Sequence, residues 1–474
     1  MAVTLWTRRG FVAGALALPA SAAPQAPARA ADAPATPRTP PPYFPAHGDP
    51  RFRVAEYDLR LDWLPSRSRL RAVAVVTGVV EEHTQGLGLD LASTLTVRSV
   101  SVDGARVRFT HRGDRVRVTL PERYAPGRPF RAQITYEGRP RPARTAYGDV
   151  GWDYTDAASS HVLVASEPLG APSWFPCNDR PDRKAAYRVT VAVPDGLQVV
   201  ANGTLTGRAP GPRGRRLWTY AHPGPMATYL ATVAIGRFAF STQSGGPVPI
   251  RNACPPEHAA AFAHDFGRQP EMMRLFAGLF GPYPFEVYGS VVVDTALDDP
   301  VENQTYSLFG TNHLDGRRGN ETLVAHELAH HWFGNSVGIA DWRHIWLNEG
   351  FATYCEWLWA EHASGTPAAR TAAAAHAAPA SAPDGVRIGD PGPGDLFDST
   401  VYTRGACTLQ ALRTTVGDAA FFAVLRAWAT RHRHGTATTP QFVSLAEQIT
   451  GHDLAPLFHA WLYETRLPPL PRPE

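Results

Sequence analysis

His326-Glu327-Leu328-Ala329-His330 and, with 18 residues between, Glu349 of Asn348-Glu349-Gly350 form the stretch from which the rest of this chain can be placed. Histidines at i and i+4 of a helix leave one face a turn apart, close enough to hold a single metal ion. A hydrolytic zinc site takes three protein ligands and keeps a fourth position for water, so a third donor has to arrive from another element. Glu349 meets that need if the segment it opens, as far as Tyr354, is a helix packed back on the first. Glu327 lies roughly 100° round the helix from His326, where it can face a water without ligating the metal, which makes it the general base. Local signals agree: Asn320 as N-cap, Glu321 in the first turn, a helical run from Leu323 to Trp332, and Gly334-Asn335 as the stop. His331 points roughly 140° from His326 and is assigned to packing or to support of the ligands.

Taken with their flanks, His326 to Asn335 and Trp346-Leu347-Asn348-Glu349-Gly350-Phe351-Ala352 resemble the zinc motifs of the aminopeptidase N family of gluzincin metallopeptidases. Three further segments carry the resemblance. Asp299-Pro300-Val301-Glu302-Asn303 stands where the family has Gly-Ala-Met-Glu-Asn; only Glu302-Asn303 is retained, and Asp299, Pro300 and Val301 depart from it. The resemblance implies that Glu302 holds the substrate's free α-ammonium and that the backbone before it lies along the substrate. Glu167, ten residues before Cys177, matches the region where the family has a Gln or Glu that helps bind the amine; a plain turn residue before Pro168 is the alternative. Phe397 to Ala406 resembles the segment that supplies a catalytic tyrosine, so Tyr402 is expected to stabilise the oxyanion. His344 stands where many relatives have Asp, which points to an altered contact behind the ligands.

Outward from the motifs, the chain divides by pattern. Thr7-Arg8-Arg9-Gly10-Phe11 and a short apolar run look like a twin-arginine export signal, expected over residues 1–30, followed by a Pro/Ala-rich linker over 31–45. Cleavage is expected after Ala22 or after Ala30. Short alternating runs such as Val54 to Trp63 and Arg115 to Leu120 predict an antiparallel β domain over 46–242. A brief β stretch and then helical runs follow, predicting a mainly helical catalytic domain over 243–474. The resemblance implies a saddle-like β domain packed on a thermolysin-like domain. It also implies a short form, without the large C-terminal helical domain of many relatives, and a more open cleft.

Hydrophobic content of 44% supports proper cores, and a formal charge of +3 with no basic stripe makes nucleic acid a poor partner. Lys184 is the only lysine among 46 basic residues, a GC-rich coding signature. Cys177, Cys254, Cys355 and Cys407 allow three complete pairings, with buried free thiols as the default. Apart from the leader no stretch is long and apolar enough to insert stably in a membrane. The expectation is therefore a secreted or cell-surface zinc aminopeptidase with one Zn2+ per chain, acting on peptides with a free N-terminus. Its ligands are His326, His330 and Glu349, its catalytic pair Glu327 and Tyr402, and its substrate contacts Glu302, Asn303 and Glu167. A thermolysin-type endopeptidase and a non-catalytic binding protein with a relic metal site remain as alternatives.

Overall fold

The computed structural model describes residues 43–154, 161–378 and 385–472. The expected leader and nearly all of the linker lie outside these residues. Among the described residues no helix is long and apolar enough to cross a membrane.

An eight-stranded sheet dominates the N-terminal half, ordered Thr204–Gly211, Arg215–Met226, Ala185–Pro194, Phe52–Leu64, Arg69–Val80, Pro129–Gly138, Leu95–Val102 and Ala105–Arg106. In Phe52–Leu64 the inward positions run Phe52 and Val54, then Tyr57, Leu59, Leu61 and Trp63. A bulge between Val54 and Glu56 inserts one residue and so shifts the two-residue period without exposing the apolar set. The antiparallel expectation fails at one place: Phe52–Leu64 pairs with Ala185–Pro194 in parallel. More than a hundred residues separate those strands, so no hairpin turn constrains their relative direction. A five-stranded sheet and a three-stranded sheet complete the β region.

A four-stranded sheet follows, ordered Ala239–Gln243, Ile250–Cys254, Ser290–Val293 and Ser307–Gly310. Its first pair is antiparallel and the other two are parallel. The strand Ala239–Gln243 runs through the division expected between 242 and 243. Beyond it the chain is mainly helical. The histidine helix Glu321–Ala329 and the long helix Trp346–Ser364 are tied by an aromatic ladder, Phe280 to Phe333 at 4.9 Å, Phe333 to Phe351 at 4.9 Å and Phe351 to Phe442 at 5.1 Å between ring centroids. Such pairs add about 0.5–1.5 kcal/mol each beyond area burial and hold the helix faces in register. All four cysteines are buried and free.

Candidate functional site

The histidine helix ends earlier than the sequence suggests, at Ala329, and continues to Phe333 as irregular turns. Asn320 occupies the cap position, but its side chain donates to the His313 carbonyl instead of capping. Glu349 does not open its helix; Trp346 does, and Glu349 lies one turn in, with its N–H donating to the Ile345 carbonyl. That single turn matters because it aims the carboxylate back at the histidines. His326 Nε2 and His330 Nε2 lie 3.5 Å and 3.4 Å from Glu349 Oε2. Donors about 2.0–2.2 Å from a common tetrahedral centre are separated by about 3.3–3.6 Å, so this buried triad fits a zinc ion. The other ring nitrogens are held in place. His326 Nδ1 is 2.8 Å from Glu356 Oε1, and His330 Nδ1 is 3.1 Å from the Phe333 carbonyl.

Glu356 is absent from the sequence reading, although a signal existed: seven residues after Glu349 on one helix, it shares its face. His344, by contrast, stays behind the helix start, with Nδ1 3.0 Å from Thr439 Oγ1, to which Trp346 Nε1 also donates.

Tyr402 sits in the first turn of Ser399–Val416, whose N-terminus is capped by Asp398 accepting from the Thr400 N–H. Its ring stacks on His326, centroids 6.2 Å apart with planes at 22°. The approach depends on two glycines. A Cβ on Gly405 would lie 2.7 Å from Gly350 Cα, and one on Gly350 would lie 2.8 Å from Gly405 Cα, so the two helices touch backbone to backbone. Arg404 faces away and is buried, donating to the carbonyls of Trp461, Ala460 and Glu464, which anchors the end of helix Ala455–Tyr463.

Glu302 and Glu167 are brought to the same place from opposite halves of the fold. One carboxylate oxygen from each of Glu167, Glu302 and Glu349 falls within a 4.8 Å cluster. The Glu302 main chain is fixed by Asn335, whose Nδ2 donates to its carbonyl at 2.7 Å. His331 fixes the same loop from behind, accepting the Thr305 N–H at Nε2 while Nδ1 is 3.1 Å from the Glu327 carbonyl. Asn303 is buried beside Glu302, and neither side-chain polar atom bonds within the protein. Lys184 Nζ, reaching over from the β half, donates to the carbonyls of Asn335 at 2.8 Å and Ser336 at 2.9 Å. The one lysine of the chain thus ties the β half to the turn that carries Asn335.

Electrostatics sorts these carboxyls. Burial pushes Glu349 up, but the charge of His330 and hydrogen bonds from both histidines outweigh it and leave Glu349 at about 2. Burial likewise raises Glu327; the histidines oppose it only in part, and it rests at about 8. Glu167 is raised well above the carboxylate range, first by burial and then by the neighbouring charges of Glu302 and Glu349. Burial and the same acidic surroundings hold the Tyr402 phenol protonated. Burial lowers His330, but the charges of Glu302 and Glu349 outweigh it and raise it to about 9, and both imidazoles pair with Glu349.

Residues 54–230 match the peptidase M1 N-terminal domain and residues 265–461 the peptidase family M1 domain. The crystal structure of an M1 zinc metallopeptidase from Deinococcus radiodurans matches with a TM-score of 0.84 at 30% identity, over 92% of this chain and 100% of that one. Native yeast LTA4 hydrolase shares the fold, with a TM-score of 0.76 at 22% identity over 89% of this chain and 69% of that one. Aminopeptidase M1-D of Oryza sativa subsp. japonica is 27% identical over 339 residues, 65% of this chain and 38% of the rice protein. This chain therefore aligns with well under half of that relative's length. Leucine aminopeptidase 2-1 of Meyerozyma guilliermondii is 24% identical over 461 residues, 90% of this chain and 71% of the yeast protein.

Proposed function

Because the chain belongs to peptidase family M1, we propose that it is a secreted aminopeptidase that binds one zinc ion per chain and removes residues from the free N-terminus of peptides. The observation that carries the reading is the convergence of Glu167 and Glu302 beside Glu349. A buried pair of carboxyls one residue's length from a metal site needs a cation to neutralise it, and an α-ammonium with pKa about 7.7–8.0 supplies one. An endopeptidase has no use for such a pair.

His326, His330 and Glu349 would hold the zinc ion, which would supply Lewis acidity and a water of lowered pKa. The protein's own groups do the rest. Glu327 takes the proton of the attacking water and hands it to the leaving amine; its Oε2 has no partner within the protein and is free to do so. Tyr402 stays protonated and donates to the oxyanion as the carbonyl becomes tetrahedral. Glu302, held by Asn335, and Glu167 grip the ammonium, which takes the place of the proton that Glu167 retains in the free protein. Asn303 completes the substrate contacts. Secretion rests on the Arg8-Arg9 leader.

The test is a panel of aminoacyl anilides with and without N-acetylation, alongside metal analysis of dialysed protein. Free-amine substrates should turn over, acetylated ones should not, and Glu302→Ala should raise KM by roughly 10- to 150-fold, equivalent to about 1.5–3 kcal/mol for a hydrogen bond to a charged group. Rapid cleavage of N-acetylated peptides at internal bonds would transfer the assignment to an endopeptidase.

A further inference from the structure

The four-stranded sheet does not end at Ser307–Gly310. Val301 adds an antiparallel bridge on its outer side, donating its N–H to the Leu308 carbonyl at 2.9 Å and accepting the Leu308 N–H at 2.8 Å. The peptide bonds on either side of Val301 are trans, so their C=O and N–H groups point in opposite directions. With the Val301 N–H and C=O committed to Leu308, the Pro300 carbonyl and the Glu302 N–H face the free edge. That edge borders the cleft. Glu302 places its carboxylate among Glu167 and Glu349, and the charge of Asp299, at the other end of the segment, reaches the Tyr402 phenol.

A free sheet edge beside a hydrolytic site invites an extended peptide to add as a further strand. If Glu302 holds the ammonium of residue 1, a peptide running antiparallel to the edge brings residue 2 opposite position 300. An ordinary amino acid there would make both bonds of a ladder pair, accepting the residue-2 N–H and donating to the residue-2 carbonyl. Proline has no N–H and can only accept.

We infer that Pro300 is a specificity-determining residue that leaves the carbonyl of the substrate's second residue without a main-chain donor, so that the enzyme gains nothing from that carbonyl. This rests on the aminopeptidase reading. The scissile N–H is still held by the Pro300 carbonyl, so hydrolysis next to the first residue is retained. What is lost is the main-chain grip on the residue-2 carbonyl.

The experiment compares wild type with Pro300→Ala and Pro300→Gly on leucyl anilide, which has no residue-2 carbonyl, and on leucyl-alanine amide, which has one. Each variant should raise the ratio of kcat/KM for leucyl-alanine amide to that for leucyl anilide roughly five-fold, the value of a net hydrogen bond of about 1 kcal/mol. Equal effects on both substrates, or none on either, would overturn the inference. Should neither variant fold, wild type decides: leucyl-alanine amide and leucyl isopropylamide, which lacks the residue-2 carbonyl, should agree within about two-fold, and a clear preference for leucyl-alanine amide overturns the inference alone. Absence of all hydrolysis by wild type sinks the aminopeptidase reading and this inference with it.

Discussion

Replacing Gly405 by alanine tests whether the backbone contact between two helices sets the catalytic geometry. The new Cβ would sit 2.7 Å from Gly350 Cα, inside ordinary van der Waals contact by roughly 1 Å, and the atom it meets is backbone that cannot rotate away. The helices must part by about that distance. Helix Trp346–Ser364 is held by the Phe333, Phe351 and Phe442 ladder and by Glu356 on His326, so the displacement falls on Ser399–Val416 and on Tyr402 in its first turn. Overpacking costs about 1–3 kcal/mol, and the gain of alanine over glycine in a helix returns about 1 kcal/mol, so the net loss of stability is about 0–2 kcal/mol. Catalysis should suffer far more, since a shift of about 1 Å in a reacting group costs on the order of 100-fold. The expected result is a modest fall in Tm, zinc content retained and kcat on leucyl anilide down about 100-fold. Gly278→Ala is the control, because a Cβ there meets nothing within 4 Å on helix Gln269–Phe280; it should raise stability by up to about 1 kcal/mol and leave kcat alone. An unchanged kcat in folded Gly405→Ala, or loss of zinc in parallel with kcat, would refute the reasoning.

Four other outcomes follow from the site. Glu327→Gln should keep zinc and lose most turnover, because it removes a base and not a ligand; metal analysis showing loss of zinc would place Glu327 in the coordination shell. Glu356→Gln should weaken zinc binding by about 10- to 100-fold in a chelator competition, through loss of the charge that orients His326, and undiminished affinity would count against that role. Since zinc must compete with protons for His326 and His330, binding should tighten as pH rises toward about 9 with proton release measurable by calorimetry in buffers of different ionisation enthalpy; binding independent of pH would contradict the raised proton affinity that the neighbouring carboxylates give these histidines. Burial holds His222 down to about 4 and His331 down to about 3, so both are neutral in the folded protein while the unfolded chain protonates them below about 6.5. Stability should be complete above neutrality and fall as pH drops from about 6.5 toward 4, by up to about 1.4 kcal/mol per pH unit for each histidine; a Tm flat between pH 7 and 5 would refute this.

How much was legible in advance differs from residue to residue. His326, Glu327 and His330 are close in sequence on one helix, so their spacing alone places them. Glu349 could be named as a donor, but its position one turn inside its helix depends on where that helix starts, and the Trp346 start is set by tertiary contacts of Trp346 and His344 with Thr439. The bulge in Phe52–Leu64 and the parallel pairing with Ala185–Pro194 could not be read from alternation, because a two-residue period carries neither phase shifts nor strand direction.

The sequence by itself determined which residues are candidates for the donor set and the general base, the succession of a β region and a helical region, and the family resemblance. These are properties of short segments, where residue type and spacing along one element are enough. Only the tertiary structure decided that Glu167 meets Glu302 across more than a hundred residues, that Glu356 and His331 hold what they hold, that Gly350 and Gly405 let Tyr402 reach His326, and that the Pro300 carbonyl faces a free edge. The reason is physical: each is a contact between elements whose relative placement comes from packing of the shared core, and packing energy is not written in any local stretch of the chain.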